Sequence, residues 1–244
     1  MSSPAPLLSV VIPTFNEVAR IERTLRSADD YLRASGIAAE IIIIDNASSD
    51  GTAELVRRLF DGMAGSTALV SEPCRGKGAA VKRGVLQSRG DFVVFLDADN
   101  ATPLSEMERF WPLLRSGVDV VVGSRYLDPS LVAVRQPRSR IVLSRIGNTI
   151  IRWLLVPGIH DTQLGFKAFK GDVARDIFSR VVTERWAFDV ELLLIARLRG
   201  CEIREVGVIW REQGGSHVRW TAYLTALLDV LRMRWRAWRG LYAA

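Results

Sequence analysis

Four consecutive isoleucines, Ile41–Ile44, run directly into Asp45. Successive side chains of a strand point to opposite faces, so a run that is apolar at every position buries both. That pattern belongs to a strand inside a parallel sheet with helices on each side. The flanking sequence keeps the same rhythm. Leu8–Pro13 reads as an earlier buried strand, and Val18–Ala34 as a helix with Val18, Ile21, Leu25, Ala28 and Leu32 at helical spacing. Ser49-Asp50-Gly51-Thr52 supplies start signals for a helix over 52–60. Ala68–Val70, Phe92–Leu96 and Val118–Val122 read as further strands, separated by helices over Gly78–Gln87 and Ser105–Leu114. The order predicts an α/β fold with a Rossmann-like, mostly parallel sheet flanked by helices.

The second half is less regular. Residues 139–156 read as a helix stopped by Pro157-Gly158, and Asp161–Phe169 as a loop leading into a strand. Trp186–Arg199 reads as a helix, Ile203–Trp210 as a strand and Gln213–Ser216 as a loop. From 220 to 240 the pattern is an amphipathic helix. Trp220, Leu224, Leu227, Leu231, Trp235 and Trp238 share one side, with Asp229, Arg232, Arg236 and Arg239 on another.

Composition removes several classes. The chain is 48% hydrophobic and 25% charged, ordinary for a packed soluble domain. The longest charge-free stretch, Met1–Asn16, carries Pro4, Pro6 and Pro13 and has no basic flank. Neither a membrane span nor a secretory signal is expected. Two distant cysteines, Cys74 and Cys201, form no disulfide framework and suit a reducing compartment. His160 and His217 are isolated, so no zinc spacing exists. The chain has no Gly-x-Gly-x-x-Gly after its first strand and no Gly-x-Ser-x-Gly, which argues against a dinucleotide oxidoreductase or an α/β-hydrolase. Arg75-Gly76-Lys77-Gly78 opens a helix and invites a phosphate, but lacks the Walker A spacing.

Net charge is +6, and its placement says more than its size. Arg135, Arg138, Arg140, Arg145 and Arg152 lie together with no acid among them, and Arg219, Arg232, Arg234, Arg236 and Arg239 form a second zone offset only by Asp229. Such zones suit phosphates or lipid headgroups, or are simply solvated helix faces. They coincide with no nucleic-acid motif, so no nucleic-acid partner is expected.

Ligands of parallel α/β sheets bind at the carboxyl ends of the strands. Three polar clusters fall there: Pro13-Thr14-Phe15-Asn16-Glu17, Asp45 through Thr52, and Asp97-Ala98-Asp99. Two carboxylates one residue apart can hold a hard divalent cation that takes its other ligands from water and substrate phosphates. The plainer alternative is one aspartate capping a turn and the other solvated. Asp45 can accept hydrogen bonds from a nucleobase or ribose, or cap its own loop, and Glu17 has the same two options.

In combination, VVIPTFNE (10–17), IIIIDNASSDGT (41–52), GKGAAVKRG (76–84), FLDADNAT (95–102), GSRY (123–126), DTQLGFKAF (161–169) and FDVELL (188–193) resemble the family 2 inverting glycosyltransferases. Within that family they look like the polyprenyl-phosphate sugar transferases, the dolichyl-phosphate glucosyltransferase and mannose synthase group. DTQLGFK and FDVELL look more like the glucosyl branch.

The resemblance implies a GT-A-type fold and transfer of a hexose from a nucleotide-diphosphate sugar to a polyprenyl or dolichyl phosphate. UDP-glucose is the favoured donor, with GDP-mannose or a non-lipid acceptor as alternatives. It implies Pro13, Phe15, Glu17, Asp45 and Lys77 around the nucleotide sugar, and Asp97 and Asp99 holding Mg²⁺ or Mn²⁺. It implies Arg125, Arg140 and Ser144 at the acceptor phosphate, Gln163 and Asp189 near the sugar, and Asp97, Asp99, Arg125 and Asp189 as the catalytic set. The expected organisation is a catalytic domain over 1–219, with 139–156 as an interfacial helix, followed by a basic amphipathic helix over 220–244. The protein would then be cytoplasmic and peripheral on the membrane surface. The chain departs from the family pattern at Asn46 (often Asp), Asn100 (often Gly) and His217 (often Lys or Arg). A phosphate acceptor is already anionic at neutral pH, so the reaction needs charge stabilisation more than a strong general base.

Overall fold

The structure, a computed structural model, describes residues 6–131, 155–211 and 221–242; of residue 129 and residues 221–227 it describes the backbone alone. Seven strands form one sheet: β1 (Leu8–Thr14), β2 (Ala39–Asp45), β3 (Ser66–Ser71), β4 (Phe92–Leu96), β5 (Val120–Ser124), β6 (Phe166–Lys170) and β7 (Ile203–Gly207). Their order is β3-β2-β1-β4-β6-β5-β7. The helices are α1 (Ile21–Ser35), α2 (Thr52–Phe60), α3 (Lys77–Gln87), α4 (Met107–Arg115), α5 (Gly171–Arg180), α6 (Phe188–Leu198) and α7 (Thr221–Trp238).

The isoleucine run behaves as its pattern requires. Ile42 and Ile44 pack with α3, α5 and α6 on one face, and Ile41 and Ile43 with α1 and α4 on the other. All four are buried. Each such side chain contributes about 1.5–3 kcal/mol relative to exposure, which fixes both the strand and its register beside β1.

Two features differ from the sequence reading. β6 runs antiparallel to both β4 and β5. Its first residue, Phe166, therefore pairs with the last of β4, Leu96, and the loop before β6 arrives at the carboxyl edge of the parallel strands. Helix α5 is the second. Its buried Ala174, Ile177 and Phe178, with Val181 beyond, carry a helical spacing that the glycine opening the helix obscures. The segment expected as a helix over 139–156 lies, up to residue 154, outside the described residues.

Candidate active site

Everything polar that the sequence singled out at strand ends converges on one edge of the sheet. Asn16, Ala47 and Asn100 have positive φ, at 56°, 62° and 56°, and stand in the first loops after β1, β2 and β4. An L residue such as Ala47 holds that conformation at about 1–3 kcal/mol of strain, so the surroundings must enforce it. Cross-links between the loops do so. Ser48 Oγ accepts the Asn16 N–H at 3.0 Å, and Asn16 Oδ1 accepts the Ser49 N–H at 2.9 Å. Thr52 Oγ1 accepts the Glu17 N–H at 2.9 Å, and Asp50 the Val18 N–H at 3.1 Å.

Asp45 ends β2 in this frame. Its Oδ2 accepts a long bond from the Ser48 N–H, 3.4 Å, while Oδ1 is buried with no partner among the described residues. A buried acceptor left unpaired calls for an explanation, and a donor group from a ligand would supply one. Pro13 is half-buried, and Phe15 is exposed with the Arg75 guanidinium 5.7 Å above its ring. Asn46 ties this loop to the next. Its amide donates to the carbonyls of Glu72 and Cys74, at 2.8 and 2.7 Å, and its Oδ1 accepts the Gly76 N–H at 2.7 Å. A carboxylate cannot donate, so the Asn in place of Asp is what closes the 72–76 loop.

At the end of β4 lie Asp97 and Asp99. Lys77, the first residue of α3, places its ammonium 2.5 Å from Asp97 Oδ1. Burial opposes the Lys77 charge, but Asp97, Asp189 and Asp99 outweigh it and raise its pKa. Asp99 Oδ1 accepts the Ala101 N–H at 2.9 Å. Burial and then the neighbouring Asp97 push the Asp99 carboxyl up, against Ala101, Arg20 and Lys77. Glu17, paired with Arg20 at 2.7 Å, is likewise raised by burial, with Asp99 and Asp97 adding to the effect. A pair of aspartate carboxylates is the kind of oxygen donor a hard cation takes, and among the described residues no group of three or more His, Cys, Asp or Glu side chains is gathered closely enough to hold one. Gly165 lies against the Asp97 carboxylate, where a Cβ would collide with all three of its terminal atoms.

Arg125 follows β5 and makes a bidentate pair with Asp161, Nε to Oδ2 at 2.7 Å and Nη2 to Oδ1 at 2.9 Å, with its own N–H adding a third bond at 3.0 Å. The guanidinium also lies over Tyr126 and Trp210. Burial works against its charge, and Asp161 outweighs burial, with Asp97 adding to the upward shift. Glu205 on β7 accepts the Asp161 N–H at 2.7 Å.

Asp189 on α6 is buried, 2.5 Å from the equally buried Lys167 of β6. Burial pushes the Asp189 carboxyl up and the Lys167 ammonium down, each against the pull of the other. Gln163 is exposed on the loop before β6. Arg140, Ser144 and His217 lie outside the described residues.

Comparison with known proteins adds the family. The Glycosyl transferase family 2 profile matches residues 9–178, the span that carries β1 through α5. The chain belongs to glycosyl transferase family 2. Dolichyl-phosphate beta-glucosyltransferases are similar along most of this family 2 enzyme. That of Dictyostelium discoideum is 36% identical, over 96% of this chain and 76% of that protein. That of Homo sapiens is 34% identical, over 97% and 79%. Among solved structures, mannosyl-3-phosphoglycerate synthase from Rubrobacter xylanophilus has a TM-score of 0.71 at 18% identity, covering 95% of this chain and 74% of that one. Glucosyl-3-phosphoglycerate synthase from Mycobacterium tuberculosis, in complex with Mn²⁺ and uridine-diphosphate-glucose, has a TM-score of 0.66 at 22% identity, over 94% and 79%. The fold of this glycosyltransferase is thus of the GT-A type.

Sequence reading assigned no role to Asp161 or Lys167, although both lie inside DTQLGFKAF. Their signal was present as an acid ahead of β6 and a lysine between two phenylalanines within it. Only the antiparallel placement of β6 brings Asp161 to Arg125, and Lys167 to Asp189.

Proposed function

We propose that this family 2 glycosyltransferase moves a hexose, glucose by preference, from a nucleotide-diphosphate sugar to the phosphate of a polyprenyl lipid, with inversion. The observation that carries the proposal is the geometry at the sheet edge, where Asp97 holds the Lys77 ammonium at 2.5 Å and abuts Gly165, on the same loop whose Asp161 pairs with Arg125. The dolichyl-phosphate acceptor of the relatives and the uridine-diphosphate-glucose bound by a structural neighbour support the choice of substrates.

Asp45, with its unpaired Oδ1, receives a donor group of the base or ribose, and Pro13, Phe15 and Glu17 line the same side. Asp97 and Asp99 hold Mg²⁺ or Mn²⁺. When bound, that ion supplies charge neutralisation to the diphosphate leaving group. Lys77 exchanges part of its contact with Asp97 for a diphosphate oxygen. Arg125, kept charged and oriented by Asp161, meets the acceptor phosphate, joined by Arg140 and Ser144. Gln163 and Asp189 lie near the sugar, with Asp189 held in the interior by Lys167. The anionic acceptor oxygen attacks the anomeric carbon directly, and the fixed cations lower the barrier by stabilising charge as it moves to the departing diphosphate.

The acceptor's tail requires contact with a bilayer. α7 has three faces. Val230 and Met233 are buried against the domain, while Leu228, Leu231, Trp235 and Trp238 form an exposed apolar stripe beside Arg232 and Arg239. Tryptophan next to arginine on an exposed helix face suits the headgroup region. The catalytic domain over 1–219 thus sits on the membrane through 220–244, aided by 139–156. Among the described residues no helix is long and apolar enough to cross a membrane. Incubation with UDP-glucose or GDP-mannose and a polyprenyl phosphate tests the reading. A β-linked glucolipid from UDP-glucose is expected. Water-soluble products alone would favour a non-lipid acceptor, and a mannolipid the mannosyl alternative.

A further inference from the structure

The FDVELL segment holds a second buried carboxylate that the reaction above leaves unused. Glu191, on α6, is 0% exposed. Its Oε2 accepts the N–H groups of Val182 and Thr183, at 2.9 and 2.7 Å. Its Oε1 accepts the Tyr242 hydroxyl at 2.6 Å and the Arg236 guanidinium at 3.4 Å. A carboxylate is tolerated in the interior when its lone pairs are met in this way. The four bonds join α6, the chain between α5 and α6, and the far end of α7.

The middle piece also touches the Lys77 loop. Ala79 donates its N–H to the Glu184 carbonyl at 3.0 Å. A Cβ on Gly76 would collide with that carbonyl, and one on Gly78 with the Thr183 carbonyl. The backbone at 183–184 thus abuts the glycines on either side of Lys77, whose ammonium lies 5.5 Å from the Trp186 ring centre. Shifting Val182 and Thr183 moves the surface on which Lys77 rests.

We propose that Glu191 is a positioning residue for the diphosphate end of the donor site, holding Lys77 in place through the 182–184 backbone and connecting it to α7. The proposal rests on the reading of Lys77 as a diphosphate ligand. A purely structural Glu191 would merely staple α7 to the domain.

Glu40 offers a control. It is another buried carboxylate, bonded to Ser9 Oγ and the Arg89 N–H, both at 2.6 Å, but it stands near the start of β2, at the opposite sheet edge. Glu191→Gln and Glu40→Gln should both lower the melting temperature. Binding of UDP with Mn²⁺, by calorimetry without acceptor, separates them. Glu191→Gln should weaken UDP roughly three- to thirtyfold, the range of coupling through packed networks. It should also raise the KM for the nucleotide sugar more than it lowers kcat. Glu40→Gln should leave both constants unchanged. Tyr242→Phe, which removes one bond at the α7 end, should give a smaller shift in the same direction and carries the test if Glu191→Gln fails to fold. If Lys77→Met weakens UDP and the Glu191 and Tyr242 variants do not, the positioning role is overturned. If Lys77→Met itself leaves UDP binding unchanged, the underlying reading of Lys77 fails.

Discussion

The ammonium of Lys77 stands 2.5 Å from Oδ1 of Asp97, so the first residue of α3 is electrostatically locked to the residue that follows β4. The contact joins a helix N-terminus, where anions are favoured, to an aspartate pair that suits a cation. A nucleotide diphosphate with its metal satisfies both at once. Lys77→Met keeps most of the apolar stem and removes the charge. We expect kcat/KM for the nucleotide sugar to fall about 10²-fold, the usual scale for one transition-state cation or donor, with a lowered melting temperature, because the neighbouring aspartates outweigh burial in favouring the Lys77 charge, and with a circular dichroism spectrum like that of the parent. Unchanged kcat/KM would mean that Lys77 serves only Asp97.

Gly165 gives a geometric test of the same place. A Cβ there collides with the Asp97 carboxylate, which must turn away. Gly165→Ala should therefore weaken Mn²⁺ binding by roughly 10–100-fold, the scale seen when a ligand loses its orientation. Circular dichroism would check that the fold is kept. Retained Mn²⁺ affinity would mean that Asp97 is not a ligand.

Asp161 makes a pH-dependent contribution whose sign can be worked out. Burial alone would raise its carboxyl, yet Arg125 and its hydrogen bonds hold it below the ordinary value of 3.8. The ionised form thus stabilises the fold above that value, and the contribution disappears as the pH falls through the lowered folded-state pKa. Asp161→Asn leaves Arg125 without its counter-charge and should destabilise by about 3–5 kcal/mol at pH 7. Chemical denaturation across pH should show the gap to the parent narrowing in acid, below the ordinary carboxylate range. A gap constant with pH would contradict the ion pair.

The proposed attachment to a bilayer can be tested at the exposed stripe of α7. Trp235 and Trp238 are 51% and 79% exposed and contribute nothing to the domain's buried core. Replacing both with serine should reduce partition onto anionic vesicles by about tenfold or more, as expected from the lost apolar area, with UDP binding intact. Undiminished sedimentation with vesicles would assign the attachment elsewhere.

Much of the frame could be read from local pattern. The Ile41–Ile44 run announced a doubly covered strand, and Asp45, Asp97 and Asp99 fell at strand ends because the carboxyl edge of a parallel sheet is where polar residues interrupt apolar runs. What could not be read depends on a long-range event, the insertion of β6 between β4 and β5 in the reverse direction. No periodicity within 166–170 encodes that direction. The partners of Arg125 and Asp189, and the seat of Gly165 on Asp97, stayed hidden with it. α7 was legible as amphipathic, yet the face that docks on the domain, Val230 and Met233, is not the Trp and Leu stripe that dominates its pattern. Glu191 had no reading of its own within FDVELL, because its partners Arg236 and Tyr242 lie 45 and 51 residues further along the chain.

The most direct measurement is metal-dependent transfer of labelled glucose from UDP-glucose into an organic-extractable polyprenyl phosphate product, compared between the parent and Asp99→Asn. The parent should transfer with Mn²⁺ or Mg²⁺ and stop when the metal is chelated. Asp99→Asn should lose roughly 10²–10³-fold in rate and melt no lower, because burial and Asp97 both disfavour the charge it removes. Transfer by Asp99→Asn at the parental rate, or transfer that survives chelation, would contradict a metal seated on the aspartate pair.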